Sequence, residues 1–137
     1  MFRSYTAITV EIDGTVQFAD LPVDSFWTSR RVAPGRGAAL DAVSDYRTAD
    51  FPLGAGARHG IACLIAGANH RFDPAQPENH LARAIIDRHG AGTDRPIRGR
   101  AVILAGWACD PRPILEPVAR ELIAQLSAEL ATTSHAA

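Results

Sequence analysis

Three arginines crowd into the stretch Arg95-Pro-Ile-Arg98-Gly-Arg100, the densest basic cluster in the chain, and His70-Arg71 and Asn79 stand in the segments before it. A guanidinium grips an oxyanion through two parallel N–H donors, which suits phosphate and carboxylate groups. An Asn at the start of a helix adds an amide beside free backbone N–H groups that favour an anion. The candidate ligand-binding residues are therefore Asn79, Arg98, Arg100, Arg71 and His70, with Arg58 as a further contributor. The partner that this chemistry fits is a small anion such as a nucleotide or phosphate, or an acidic protein surface. The bland reading of the same arginines is a solvated rim.

Other chemistry finds less support. His59, His70, His80, His89 and His135 include no pair at the i, i+4 spacing of a helical zinc site. Cys109, which precedes Asp110 at a strand end, is a better nucleophile candidate than Cys63, but neither has a cationic neighbour in sequence to favour a thiolate. Gly54-Ala-Gly-Ala-Arg-His-Gly60 matches neither phosphate-loop pattern and is followed by a strand rather than a helix, so it reads as a flexible turn. Asp41, Asp45 and Asp50 lie near turns and read as solvated carboxylates. No catalytic residue, metal ligand or cofactor is assigned.

Length and composition bound the remaining possibilities. The chain has 137 residues, enough for one domain with a normal core, here 1–131 followed by a frayed tail at 132–137. With 47% apolar and 21% charged residues, and no apolar run near the roughly 18 residues of a membrane span, it reads as a soluble globular protein without a membrane partner. The opening residues lack the apolar stretch of a signal peptide, which points to the cytoplasm. Both cysteines sit in apolar surroundings, as reduced thiols do. All basic side chains are arginine and none is lysine, which reflects a GC-rich genome as readily as a chemical need. The net charge of −1 gives no general attraction to nucleic acid.

The elements that must position these residues follow from periodicity. Ile8, Val10 and Ile12, then Val16 and Phe18, alternate about Asp13-Gly14 as a hairpin. A loop of Ile12-Asp13-Gly14, with Gly14 left-handed, sets Val10 opposite Val16 and Ile8 opposite Phe18, giving one apolar face. The connection at 21–36 holds Phe26-Trp27, a pair that anchors a segment on its neighbours or stacks on a ligand. Ala38 to Val43 reads as a short helix, Tyr46 to Leu53 as a strand ended by Pro52 and Gly54, and Ile61 to Ala66 as another strand. A helix with the stripe Leu81, Ala82, Ile85, Ile86 and His89 is capped by Asn79 and stopped by Gly90. Ala101 to Ala105 is apolar at every position, so it is the central strand with both faces covered. Asp110-Pro-Arg-Pro leads into a last helix with the stripe Ile114, Leu115, Val118, Leu122, Ile123, Leu126 and Leu130. The expected fold is α+β: a small mixed or antiparallel sheet with an N-terminal hairpin and helices packed on one face.

The second half carries a resemblance. Pro77-Glu-Asn-His-Leu-Ala-Arg-Ala-Ile-Ile followed by Pro96-Ile-Arg-Gly-Arg-Ala-Val-Ile-Leu-Ala-Gly106 resembles a family of small proteins known only as domain of unknown function 3846, found on bacteriophages and plasmids and in actinobacteria. That family has an Asn-x-x-Ala helix and then a strand of the form Ile-x-Gly-x-x-Val-x-x-Gly. Asn79, Ala82, Ile97, Gly99 and Gly106 stand at the matching positions, but the valine does not fit both glycines: Ile103 stands at its place counted back from Gly106, one residue late, and Val102 at its place counted from Gly99. The family tends to have a Gly-Gly pair after its first helix, where this chain has Ser44-Asp45. The resemblance implies a mobile-element accessory protein and brings no activity. The functional expectation is thus a noncatalytic accessory or binding protein that docks to a protein or ligand, with a homodimer left open. An arginine-lined phosphate-binding module is the alternative, and a small enzyme using Cys109 or a histidine is the third reading.

Overall fold

The computed structural model describes residues 4–22, 25–53, 62–107, 110–114 and 116–136. Its strands are β1 (Ser4–Val10), β2 (Val16–Pro22), β3 (Thr48–Leu53), β4 (Ala62–Gly67), β5 (Ala101–Trp107) and β6 (Asp110–Arg112). The helices are α1 (Ser25–Ser29), α2 (Pro34–Val43), α3 (His80–His89) and α4 (Glu116–Ala136). All strand pairs are antiparallel, in the order β2-β1-β5-β4-β3, so the sheet is antiparallel rather than mixed and β5 is central as expected.

The opening hairpin has the expected register, Val10 with Val16 and Ile8 with Phe18. Glu11 N donates to Thr15 O at 2.9 Å and closes the three-residue loop, in which Gly14 has φ +87°. A two-residue turn would have thrown the apolar residues of the two strands onto opposite faces, so the loop length is what makes the hairpin half of a core. Ala105 pairs with Ala62 on one edge of β5 and with Arg112 on the other. Strand β6 therefore extends the β1 side of β5. It falls where the sequence reads only as a lead-in to the last helix, because three residues including Pro111 carry no alternation to detect.

Helices cover both faces of the sheet, which corrects the expectation of one helical face. Ile8, Val10, Leu64, Ala101 and Ile103 pack with Leu81, Ile85 and Ile86 of α3 and with Ala119 and Leu126 of α4. Ala7, Cys63, Ile65, Val102 and Leu104 on the opposite face pack with Ala38, Ala39 and Val43 of α2. The all-apolar run of β5 requires this, since each fully buried aliphatic side chain stabilises the fold by about 1.5–3 kcal/mol only if its own face is covered. Helix α2 gives a weak sequence signal because it buries Gly35, Gly37, Ala38 and Ala39, small residues that let a helix approach the sheet without forming an apolar stripe. It also starts at Pro34, four residues before the expected start, with Pro in the first turn where no N–H is needed. Strand β3 lies at the sheet edge, where Pro52 is tolerated inside the strand instead of ending it. Helix α4 continues to Ala136, through most of the 132–137 tail expected to fray. Its first turn takes Pro117, and Ile114, just before it, is tied to β1 by Ile114 N donating to Thr6 O at 2.9 Å.

Candidate functional site

Because β4 and β5 run antiparallel, the chain leaving β4 meets the chain entering β5, and the sequence-derived candidates gather at this end of the sheet. His70 begins a single 3-10 turn, His70–Phe72, and lies against Gly99; a Cβ on Gly99 would stand 3.2 Å from His70 Nδ1. Gly99 itself has φ +77° and its N–H donates to Pro77 O at 2.9 Å, holding the entry of α3 beside the start of β5.

Asn79 is the joint of this region. It is 1% exposed, and its side-chain oxygen accepts from Ala82 N at 3.0 Å as the cap of α3. Its amide donates to Val10 O at 2.8 Å and Gly99 O at 2.9 Å, and its backbone N–H donates to Ile97 O at 2.6 Å. The carboxamide thus binds the end of β1, the start of β5 and the first turn of α3 to one another. Its two donors and its oxygen are spent inside the protein.

The arginines differ in their engagement. Arg100 pairs through Nε with Glu11 Oε1 at 2.8 Å. Arg98 donates to Gln76 O at 2.9 Å and lies 3.6 Å from Glu78 Oε1. Arg71 donates from Nη2 to the Thr93 hydroxyl at 3.3 Å and stacks over the Phe51 ring with its central carbon 5.2 Å from the centroid. Arg95, from the same basic cluster, lies 4.7 Å over the ring of Phe72, which is two-thirds exposed. The Nε atoms of Arg71 and Arg98 and the Nδ1 of His70 are buried without a hydrogen-bond partner.

Asp45 corrects the reading of a solvated carboxylate. Helix α2 ends with Ser44 left-handed at φ 55°, which turns the chain and sends Asp45 inward, where it is 8% exposed. Asp45 Oδ1 accepts from Tyr46 N at 2.7 Å, Arg47 N at 3.2 Å and the Asn69 amide at 2.7 Å, and Oδ2 accepts from Asn69 N at 2.9 Å and His70 N at 3.1 Å. Burial alone would push its pKa up, but the Asn69 amide and the N–H groups of His70, Arg47 and Tyr46 together outweigh it and hold the carboxyl below its ordinary range. His70 Nε2 stands 3.9 Å from Oδ2, so one carboxylate knits the exit of α2 to the exit of β4. Gly67 is required beside it, because a Cβ there would meet Asp45 Oδ2 at 2.7 Å.

The aromatic pair of the α1 segment anchors as expected. Trp27 donates from its indole to Asp41 Oδ1 at 2.6 Å and seats its Cβ 2.7 Å from where a Cβ of Gly37 would be, fixing α1 to α2. Phe26 packs edge-on at 5.0 Å and Tyr46 at 6.4 Å between ring centroids. Phe26 is 44% exposed and Tyr46 81%, leaving an aromatic ledge at the surface. Trp27, Leu40, Asp41, Ser44, Asp45 and Tyr46 line a shallow recess of about 300 Å³ beside it.

Cys63 is a buried free thiol whose pKa is pushed up to about 11, first by burial and then by the charge of Asp50. That is the opposite of what a nucleophile needs. Cys109, Arg58, His59 and the Gly54–Gly60 turn lie outside the described residues, as do the side chains of Trp107 and His135. Among the described residues no group of three or more His, Cys, Asp or Glu could hold a metal ion, and no helix is long and apolar enough to cross a membrane. Set against known proteins, the chain matches no family model, no curated protein and no solved structure.

Proposed function

We propose that this chain is a noncatalytic binding protein, an accessory protein of a mobile genetic element acting in the cytoplasm, which docks to a protein partner through the Phe26–Trp27–Tyr46 ledge. The observation that carries the reading is the exposure of Phe26 and Tyr46 on either side of an anchored Trp27. Large aromatic side chains left at the surface around a rigid centre are what interfaces use as anchors. The chemistry of the recess selects the partner group. Asp41 is exposed with Oδ1 on the indole, and Trp27 and Tyr46 form two of the walls, a combination that suits a basic side chain with an aliphatic stem. The partner is therefore a protein that presents an exposed arginine or lysine.

The mobile-element part of the reading rests on the resemblance in the second half, and the roles of its residues support it. Asn79 caps α3, and Gly99 and Gly106 both take the positive φ that explains a glycine there, at +77° and +83°. Where the family tends to carry glycines after its first helix, Ser44 takes a left-handed conformation. The buried, unpaired thiol of Cys63 suits a reducing compartment.

A panel of short peptides varied at one central position tests the docking reading, with the full chain and its Tyr46→Ala and Asp41→Asn variants as probes. Retention of arginine- and lysine-centred peptides by the native chain, lost in both variants, is the expected result. Retention that ignores the central residue, or survives both substitutions, overturns it.

A further inference from the structure

We infer that the turn after β4 and the loop before β5 form a second site, independent of the aromatic ledge, in which Arg71 and Arg95 hold the phosphate group of a small phosphorylated ligand. Thr93 ties the side chain of Arg71 to the backbone of Arg95. Its hydroxyl accepts from Arg71 Nη2 and donates to the backbone oxygen of Arg95, each at 3.3 Å, and it also accepts from Arg95 N at 3.3 Å. Arg95 in turn covers the ring of Phe72, the residue that follows Arg71. Two arginines 24 positions apart in the chain are thereby joined through one threonine, and each guanidinium is seated on a phenylalanine ring.

Neither group has an acid to neutralise it. Among the described residues no carboxylate stands within salt-bridge distance of Arg71 or Arg95. The nearby acids are used elsewhere: Glu78 faces Arg98 at 3.6 Å, Asp87 faces Arg83 at 3.9 Å and accepts from Thr93 N at 3.2 Å, and Asp73 accepts from Ala75 N at 3.0 Å. Asp94, between Thr93 and Arg95, is exposed and reaches neither guanidinium. Stacking on a ring fixes a guanidinium in orientation without using its in-plane N–H donors.

The unmet donor of Arg71 gives the second line of argument. Nε and Nη2 form the edge with which a guanidinium grips an oxyanion bidentately, and on Arg71 that edge has only the Thr93 hydroxyl at Nη2 while Nε is enclosed without an acceptor. A cationic donor buried in this way costs free energy until an acceptor arrives. An oxyanion entering beside Thr93 supplies it. Asn79 and Arg100, both committed to internal partners, take no part, and the site is narrower than the residue types alone imply.

The test is a titration of the full chain, labelled with nitrogen-15, followed through the arginine Nε–Hε resonances. Inorganic phosphate, sulfate and adenosine monophosphate are added to about 10 mM, with sodium chloride holding the ionic strength constant. Saturable shifts of the Arg71 and Arg95 resonances are expected, with affinity reduced at least about tenfold in Arg71→Ala and in Arg95→Ala and unchanged in Arg31→Ala. Tighter binding of the nucleotide than of phosphate identifies a nucleotide as the source of the phosphate group, and equal binding identifies a simpler phosphate ester. If Arg71→Ala does not fold, Arg95→Ala decides. Shifts that never saturate, that sodium chloride reproduces, or that persist at full affinity in Arg95→Ala overturn the inference.

Discussion

Replacing Asn79 measures how much of the fold hangs on one carboxamide. In Asn79→Ala the α3 cap is lost, at about 1 kcal/mol, and the buried carbonyls of Val10 and Gly99 lose a donor each, at about 1–2 kcal/mol apiece, so the total is about 3–5 kcal/mol. Set against a typical stability of about 5–15 kcal/mol this is a large fraction, and with a urea slope near 1.5–2 kcal/mol per M the midpoint falls by about 2 M. Asn79→Ser keeps an oxygen for the cap but cannot reach both strands, so it should recover only about 1 kcal/mol. Asn79→Asp separates the two functions further. It keeps the cap acceptor but aims a carboxylate at two carbonyl oxygens, and burial there raises the carboxyl pKa above its ordinary value of about 3.9. A raised folded-state pKa means that stability is present when the group is protonated and is lost as pH rises through that value. The deficit of Asn79→Asp should therefore shrink on going from about pH 7 to about pH 5, while that of Asn79→Ala stays constant. Urea unfolding followed by far-ultraviolet circular dichroism at several pH values reads both effects. A midpoint for Asn79→Ala within about 0.5 M of the native one, or an Asn79→Asp deficit that ignores pH, would refute the three-way clamp.

Gly14→Val should cost about 1–2 kcal/mol in urea unfolding; a Cβ at Gly14 meets no atom within 4 Å, so the whole cost is left-handed backbone strain at φ +87°. Asp45→Asn should destabilise by about 2–4 kcal/mol at neutral pH. Because the Asp45 pKa is lowered on folding, its contribution is present above the ordinary carboxyl range and disappears as pH falls through the lowered value, so the gap between native chain and variant should close on acidification; a gap independent of pH counts against the carboxylate's role. Cys63 in the folded chain should react with a neutral-pH alkylating reagent more than about 100-fold slower than free cysteine, as intact mass against time will report.

The parts of the fold that follow from local pattern were legible in the sequence, and those that depend on distant partners were not. Val10, Val16, Ile8 and Phe18 have one pairing that puts them on a single face, so the hairpin loop could be counted from them. The unbroken apolar run of β5 demanded a central place with cover on both sides, and Asn79 stood at the position from which a cap must act. Asp45 gave no such signal. An aspartate after a helix is ordinarily solvated, and its burial depends on donors from Asn69 and His70, more than twenty positions away. The site was half legible for the same reason. Antiparallel neighbours bring residues near 70 and near 98 together, but which arginine keeps a free fork depends on where Glu11, Glu78 and Thr93 fall.

The strand order has a consequence for how the chain is made. Strands β1 and β2 form one local hairpin and β3 and β4 another, but β1 and β4 do not pair with each other; each pairs with β5, where Ile103 stands opposite both Ile8 and Leu64. A ribosome delivers β5 after both hairpins, so for most of synthesis the nascent chain carries two half-sheets, each with an unpaired inner edge of the kind that recruits foreign strands. Insertion of a single strand then joins the halves and closes both edges at once. The seven residues from Ala101 to Trp107 thus time the completion of the fold as well as forming its centre.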